Sequence, residues 1–243
     1  MAIIKWDDDG KRFYETGTRM GVLYKKRTKS EGQGKPAGSY GVGVPWNGLR
    51  GVTETPSGAE ETALYANDHK YLSLYSAEEI GVTITAYTFP DEWAECDGSA
   101  QVAEGVSVVQ QERVGFGMAY RTVLGNDALG EAYGYKLHLL YNAKASPSER
   151  SYATINDSPE ALEFSWEAKT TPVDIGKNHK PTALIVIDQT KADPDALAEL
   201  EAALYGTENT DPYLPTPEEV IGMFTSNNIG VSGASGETPG NGN

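Results

Sequence analysis

A mainly β fold of the α+β class, with a few short helices, is what this 243-residue chain predicts, on three observations. Most of its apolar runs alternate with period two, turn-forming residues separate those runs, and helix-capping signals occur at few places. GVTITAYT (81–88) puts Val82, Ile84 and Ala86 on one face and Thr83, Thr85 and Tyr87 on the other. LEFSWEAKT (162–170) likewise alternates Leu162, Phe164, Trp166 and Ala168 with Glu163, Ser165, Glu167 and Lys169. Both read as half-buried antiparallel strands. Similar runs are MGVLYK (20–25), VSVVQQERVGFGMAYRTVL (106–124), YGYKLHLLYNA (133–143) and TALIVIDQT (182–190). Between them stand GND (125–127), SPSE (146–149) and NDSP (156–159), which are turn chemistry.

The helices come late. In DPDALAELEAALYG, Asp193 is placed to cap, Pro194 takes the first helical position, Leu197, Leu200 and Leu204 form one stripe, and Gly206 closes the end. TPEE starts another helix, with Thr216 as cap and Glu219 as its capping-box partner, followed by Val220, Met223 and Phe224. Residues 192–224 therefore hold the C-terminal helices. Residues 225–243 are rich in Gly, Ser and Asn with few apolar residues, which predicts a flexible tail.

One cysteine, Cys96, cannot form an internal bridge, and no apolar run approaches the ~18–20 residues that cross a bilayer. The opening MAIIKWDDDGKRF lacks the apolar stretch of a signal peptide, so a soluble protein outside the usual export route is expected. The net charge of −15 is unevenly spread: residues 1–50 carry ten basic and five acidic side chains, the remainder ten and thirty. The acidic bulk argues against a protein that grips nucleic acid. KKRTK (25–29) reads first as a solvated loop and second as a nucleic-acid patch.

TFPDEWAECDGS (88–99) gathers four carboxylates and the cysteine, as a metal site or an acid/base pair would. Phe89, Trp93 and Cys96 nevertheless fall on one helical face, with Asp91, Glu92 and Glu95 opposite, Thr88 placed to cap and Gly98 to terminate. An amphipathic helix packed on a sheet explains every residue. His69, His138 and His179 lie far apart in sequence, and no G-x-S-x-G elbow, P-loop or H-E-x-x-H accompanies them. The glycines of YGVGVPWNG have no helix following them, as a dinucleotide site would need. Asn156-Asp157-Ser158 has the form of a glycosylation sequon but reads as a turn. No catalytic residue, metal or cofactor is expected.

Residues 53–76, TETPSGAEETALYANDHKYLSLYS, show no sustained period and are long for a loop in a compact domain, yet carry clustered Tyr and Leu. Two readings are open: a two-stranded extension packed on its own domain, or an arm reaching another molecule. The candidate anchors are Leu64, Tyr65, Tyr71, Leu72 and Tyr75, and Lys25, Lys26 and Arg27 are candidates for a charge-guided contact between copies.

FYETGTRMGVLY, VPWNGLRGVTETPSGAEETALYANDHKYLSLYSAEE, AYTFPDEWAECDGSA and YGYKLHLLYNAKASPSERSYATINDSPEALEFSWEAKTTPV resemble, in this order, the major tail protein (tail tube protein) of long-tailed bacteriophages infecting Gram-positive bacteria. The resemblance covers roughly residues 12–224; KKRTKSEGQGKP and the segment after Phe224 are less familiar, and no role carries onto them. It implies an antiparallel β-sandwich flanked by a helix, here TFPDEWAECDG, with 53–76 as a loop projecting towards neighbouring subunits. It further implies a tail tube domain over 1–224, six copies to a ring, and rings stacked into a tube. Such a tube binds tape measure and tail-end proteins and lets duplex DNA pass without specific binding. The protein would be made in the host cytoplasm and end in the virion. The rival expectation is a monomeric β-sandwich binding module, for instance for carbohydrate, using its Tyr and Trp side chains as a platform.

Overall fold

Alternation in GVTITA becomes burial: Val82, Ile84 and Ala86 are buried while Gly81, Thr83 and Thr85 are only partly so. The computed structural model describes residues 4, 6–30, 36–152, 154, 161–176 and 179–226. In chain order the elements are β1 (Phe13–Lys25), β2 (Val44–Pro45), β3 (Leu49–Ser57), β4 (Glu61–Ala66), β5 (His69–Tyr75), β6 (Glu79–Ala86) and α1 (Trp93–Cys96). They continue with β7 (Ala100–Ala103), β8 (Val106–Val108), β9 (Phe116–Asn126), β10 (Gly130–Ala145), β11 (Phe164–Thr170), β12 (Leu184–Asp188), α2 (Pro194–Tyr205) and α3 (Pro217–Ser226). The fold is mainly β with few short helices, consistent with a β-sandwich.

One antiparallel sheet runs β2-β1-β9-β10-β11-β6-β3, with β12 also paired to β10. It folds over so that the β11-β6-β3 part and the β1-β9 part share one core. Leu23, Ile84, Phe116, Met118, Leu140 and Trp166 meet there. The two parts approach closely where Gly21 of β1 faces β3: a Cβ on Gly21 would lie 2.5 Å from a methyl of Leu49. A side chain there would push the layers apart, which gives this glycine its steric reason.

The outer face of β1, β9 and β10 carries a second core. Val22, Tyr24, Ala119, Leu137, Leu139 and Tyr141 pack against Leu197, Leu200 and Leu204 of α2 and Val220 of α3. Covered on both faces, the middle of β10 is continuously buried from Leu137 to Tyr141. That is why LHLLY reads as a run rather than as an alternation. Tyr24 reaches through this layer to donate from its hydroxyl to the carbonyl of Leu204 at 2.6 Å.

Both C-terminal helices begin as their sequences dictate. The Asp193 carboxylate accepts from the backbone N–H of Asp195 and Ala196, with Pro194 at the first helical position. Ahead of α3, Glu219 N–H donates to the Thr216 hydroxyl at 3.3 Å, and Thr216 N–H donates to the Glu219 carboxylate at 2.7 Å. This reciprocal box is expected to contribute about 0.5–2 kcal/mol through Thr216. Thr216→Ala should lower the urea midpoint accordingly with an unchanged slope, while Thr216→Ser should not.

Several expectations need correction. The helix at 88–98 is only α1, four residues long, with no side-chain cap at its start. Pro90 is the cause: it pushes Phe89 out of helical conformation, so Trp93 N–H and Ala94 N–H close single turns onto Pro90 and Asp91. The predicted faces survive, since Trp93 and Cys96 are fully buried and Gly98 (φ 82°) ends the element. The run 106–124 is not one strand, because β8 ends at Val108 and β9 begins at Phe116. α3 extends to Ser226, two residues beyond the expected helix end at Phe224. The remainder of that tail, and the NDSP turn with its sequon, lie outside the described residues. Among the described residues no helix is long and apolar enough to cross a membrane.

Candidate functional site

Residues 53–76 form a projecting hairpin. β3 and β6 pair from Leu49/Ala86 out to Ser57/Glu79, and beyond a break the chain pairs again as β4 with β5. The neck is held by Ser76, whose N–H donates to Glu60 O at 3.1 Å and whose hydroxyl accepts from Glu60 N–H at 3.0 Å. At the tip Asn67 and Asp68 both have positive φ, 50° and 61°, the backbone of a two-residue hairpin turn. The expected loop is thus an ordered two-stranded arm, which at ~3.3 Å per residue extends on the order of 20 Å past its neck.

The register sorts the side chains onto two faces. Thr62 opposes Leu74 and Leu64 opposes Leu72, so these four share one apolar face. The other face holds Glu61, Ser73 and Tyr75, with Lys70 ion-paired to Glu61 and the Ser73 hydroxyl donating to the same carboxylate. These two partners, Lys70 first, hold the Glu61 carboxyl below its ordinary value. Leu64, Leu72 and Leu74 are 41%, 47% and 51% exposed, and Tyr65, Tyr71 and Tyr75 more so, with no element among the described residues covering them. All five expected anchors therefore cluster on this arm.

At the arm's root lies a polar network that sequence reading missed. The Glu54 carboxylate of β3 accepts from the Tyr120 hydroxyl at 2.5 Å and meets His138 Nδ1 at 2.9 Å. His138 Nε2 lies 3.0 Å from the Thr122 hydroxyl, which in turn donates to Glu15 at 2.5 Å. Lys136 Nζ donates to the other Glu15 oxygen at 2.5 Å, and the Tyr120 and His138 rings stack at 4.7 Å. Four strands thus contribute to one ladder of hydrogen bonds. Thr122, His138 and Glu54 follow the order of a hydroxyl–imidazole–carboxylate triad, but the threonine proton is committed to Glu15. That leaves Thr122 no route to surrender it to the imidazole, and the group reads as a tie between the layers.

The hydrogen bond from His138, aided by Tyr120 and opposed by burial, holds the Glu54 carboxyl below its ordinary value of 4.5. A carboxylate with a depressed folded value stabilises the fold above its unfolded pKa and loses that contribution as pH falls through the folded value. Melting temperature of the wild type should therefore fall as pH drops below about 4.5. Glu54→Gln should be less stable at neutral pH and show a shallower acid decline; parallel declines would contradict it.

The acidic stretch 88–99 is explained by structure. Glu95 pairs with Lys25 at 2.8 Å, and the buried Asp97 pairs with Arg150. Cys96 is buried and its thiol is pushed up to about 12, chiefly by that burial. Among the described residues no group of three His, Cys, Asp or Glu is placed to hold a metal. The basic candidates are not a free patch either. Lys25 is in that ion pair, Lys26 donates to the Asn142 side chain, and Arg27 donates to the Ser39 hydroxyl and the Tyr40 carbonyl. Lys26 and Arg27 border an 830 Å³ cleft with Tyr40, Pro172, Tyr213 and Leu214.

No protein-family model matches the chain, and no curated protein matches it.

Proposed function

We propose that this chain is a structural protein that assembles with copies of itself into stacked rings, forming the tail tube of a long-tailed bacteriophage. The observation that carries the reading is the arm. A two-stranded ribbon is at best marginally stable in water on its own, and this one exposes Leu64, Leu72 and Leu74 on one face and tyrosines around them. A second copy is the occupant that a repeated assembly supplies without any further partner, and the sequence resemblance points the same way. Contact of the arm with a different surface of the next copy is heterologous, so it propagates into rings or tubes. Ring number, six by the resemblance, and contacts with tape measure and tail-end proteins follow from that likeness alone. The net charge of −15 suits a wall along which duplex DNA slides without sticking.

Negative-stain imaging and sedimentation of the purified chain test this. Rings, tubes or concentration-dependent growth support it, together with no retention of duplex DNA at physiological salt. The second reading, a monomeric carbohydrate-binding module, draws on the cleft beside Tyr40 and Tyr213. A monomer at all concentrations that binds an oligosaccharide would establish that reading and overturn the first.

A further inference from the structure

Lys26 follows β1 and Asn142 lies in β10; the two strands flank β9 in the sheet. The lysine passes Gly115, the residue just before β9, whose carbonyl accepts the Lys26 N–H at 2.8 Å. A Cβ on Gly115 would lie 3.3 Å from Lys26 Cδ, so the glycine clears the path of the lysine stem. At the far side Lys26 Nζ meets Asn142 Oδ1 at 2.5 Å. The amide is held from every side. Asn142 Nδ2 donates to Thr171 O at 3.1 Å, its backbone N–H donates to the Tyr40 hydroxyl at 2.8 Å, and its φ of 50° belongs to a break in the β9–β10 register. The Tyr40 ring stands 5.7 Å from Nζ.

From this geometry we infer that Lys26 and Asn142 are the partners of an intramolecular isopeptide bond that the folded chain forms by itself. Burial pulls the Lys26 ammonium below its ordinary value, which raises the fraction of free amine. The ammonium first loses a proton to water. The neutral Nζ then attacks Asn142 Cγ, a proton passes from Nζ to Nδ2, and the Cγ–Nδ2 bond breaks to release ammonia, which leaves as ammonium. One amide replaces another with no change of oxidation state. The site opens on the cleft whose lining includes Asp174, Glu218 and Glu219, through which ammonia departs. The bond would close a covalent loop from residue 26 to residue 142 and tie three adjacent strands, limiting the unfolded chain as a disulfide does. None of this depends on how the chain assembles.

Intact-mass spectrometry of the purified full chain, incubated at mildly alkaline pH, is the test. The expected result is a species lighter than the sequence mass by one ammonia, increasing with time, and a branched peptide joining the Lys26 and Asn142 segments after proteolysis. Lys26→Arg and Asn142→Gly should both abolish it, the glycine retaining the left-handed backbone at 142. Circular dichroism checks that each variant is folded. A folded wild type that keeps its full sequence mass overturns the inference. So does an ammonia loss that persists in Lys26→Arg or maps to a cyclic imide at an asparagine.

Discussion

Replacing Leu64 and Leu72 together by aspartate is expected to abolish assembly while leaving the single chain folded. The two leucines oppose each other across the arm and are 41% and 47% exposed, so the isolated chain gains little from them. Surface substitutions of that kind shift stability by only about 0.5 kcal/mol. In the proposed assembly the same side chains would be buried, contributing up to about 1.5–3 kcal/mol per fully covered leucine. An aspartate in that position instead brings an unpaired charge into an apolar contact. Every subunit repeats the contact, so the loss multiplies around the assembly. Sedimentation velocity and negative stain would read the defect, with circular dichroism confirming the fold. Wild-type assembly by the double variant would show that the arm's apolar face is not the contact. A wild type that itself never assembles would remove the functional reading altogether, which is a different result.

How much of this could be read from the sequence depends on which surfaces each strand faces. β6 and β11 have one face in the core and one towards solvent, and their alternation is plain in GVTITA and FSWEAKT. The caps of α2 and α3 are local chemistry, legible because Asp193, Thr216 and Glu219 act within three residues of themselves. The arm could be read only as one of two alternatives, a two-stranded extension packed on its own domain or an arm to another molecule, for the opposite reason. Both its faces are exposed and both carry Leu or Tyr, so no contrast between a buried and a solvated face marks the period. The one available signal was Asn67-Asp68 between two β-prone runs, a weaker turn pair than Asn-Gly. The five candidate anchors nevertheless share one hairpin, because clustering of Tyr and Leu survives any error in register.

The polar ladder at the arm's root could not be read at all. Glu15, Glu54, Tyr120 and His138 come from four strands separated by long stretches of chain, and only sheet order brings them together. The partners of the basic stretch were hidden for a related reason. Lys25, Lys26 and Arg27 look like a free patch in sequence, but folding supplies Glu95, Asn142, Ser39 and Tyr40 as partners from distant segments. Charge-guided stacking through these three side chains would have to break those contacts first. The arm is the better candidate for the contact between copies.

Trp93→Ala is expected to destabilise the fold by about 3–5 kcal/mol, the range for truncating a buried large aromatic. Trp93 is fully buried, with ring centres 4.8 Å from Trp46, 4.9 Å from Phe116 and 5.4 Å from Trp166. These partners come from the segment before β3, from β9 and from β11, so the indole plugs the space between the two parts of the folded sheet. α1 adds to the effect. Four residues have no helical stability of their own, and beyond Trp93 and Cys96 the segment is held by backbone hydrogen bonds from Gln111 and Val114, by the Asp97–Arg150 pair and by the more exposed Lys25–Glu95 pair, the last contributing about 0–1 kcal/mol. Alanine should therefore also loosen residues 89–98, visible as faster amide exchange there. For a chain of this size the melting temperature should fall on the order of 10 °C. Trp93→Phe separates packing from polarity. The indole N–H is buried without a hydrogen-bond partner among the described residues, a cost of about 1–3 kcal/mol that phenylalanine does not carry. The phenylalanine variant should therefore lose much less than alanine. Equal losses in the two variants would show that indole volume alone governs the site, and no loss in either would show that the core closes without the plug.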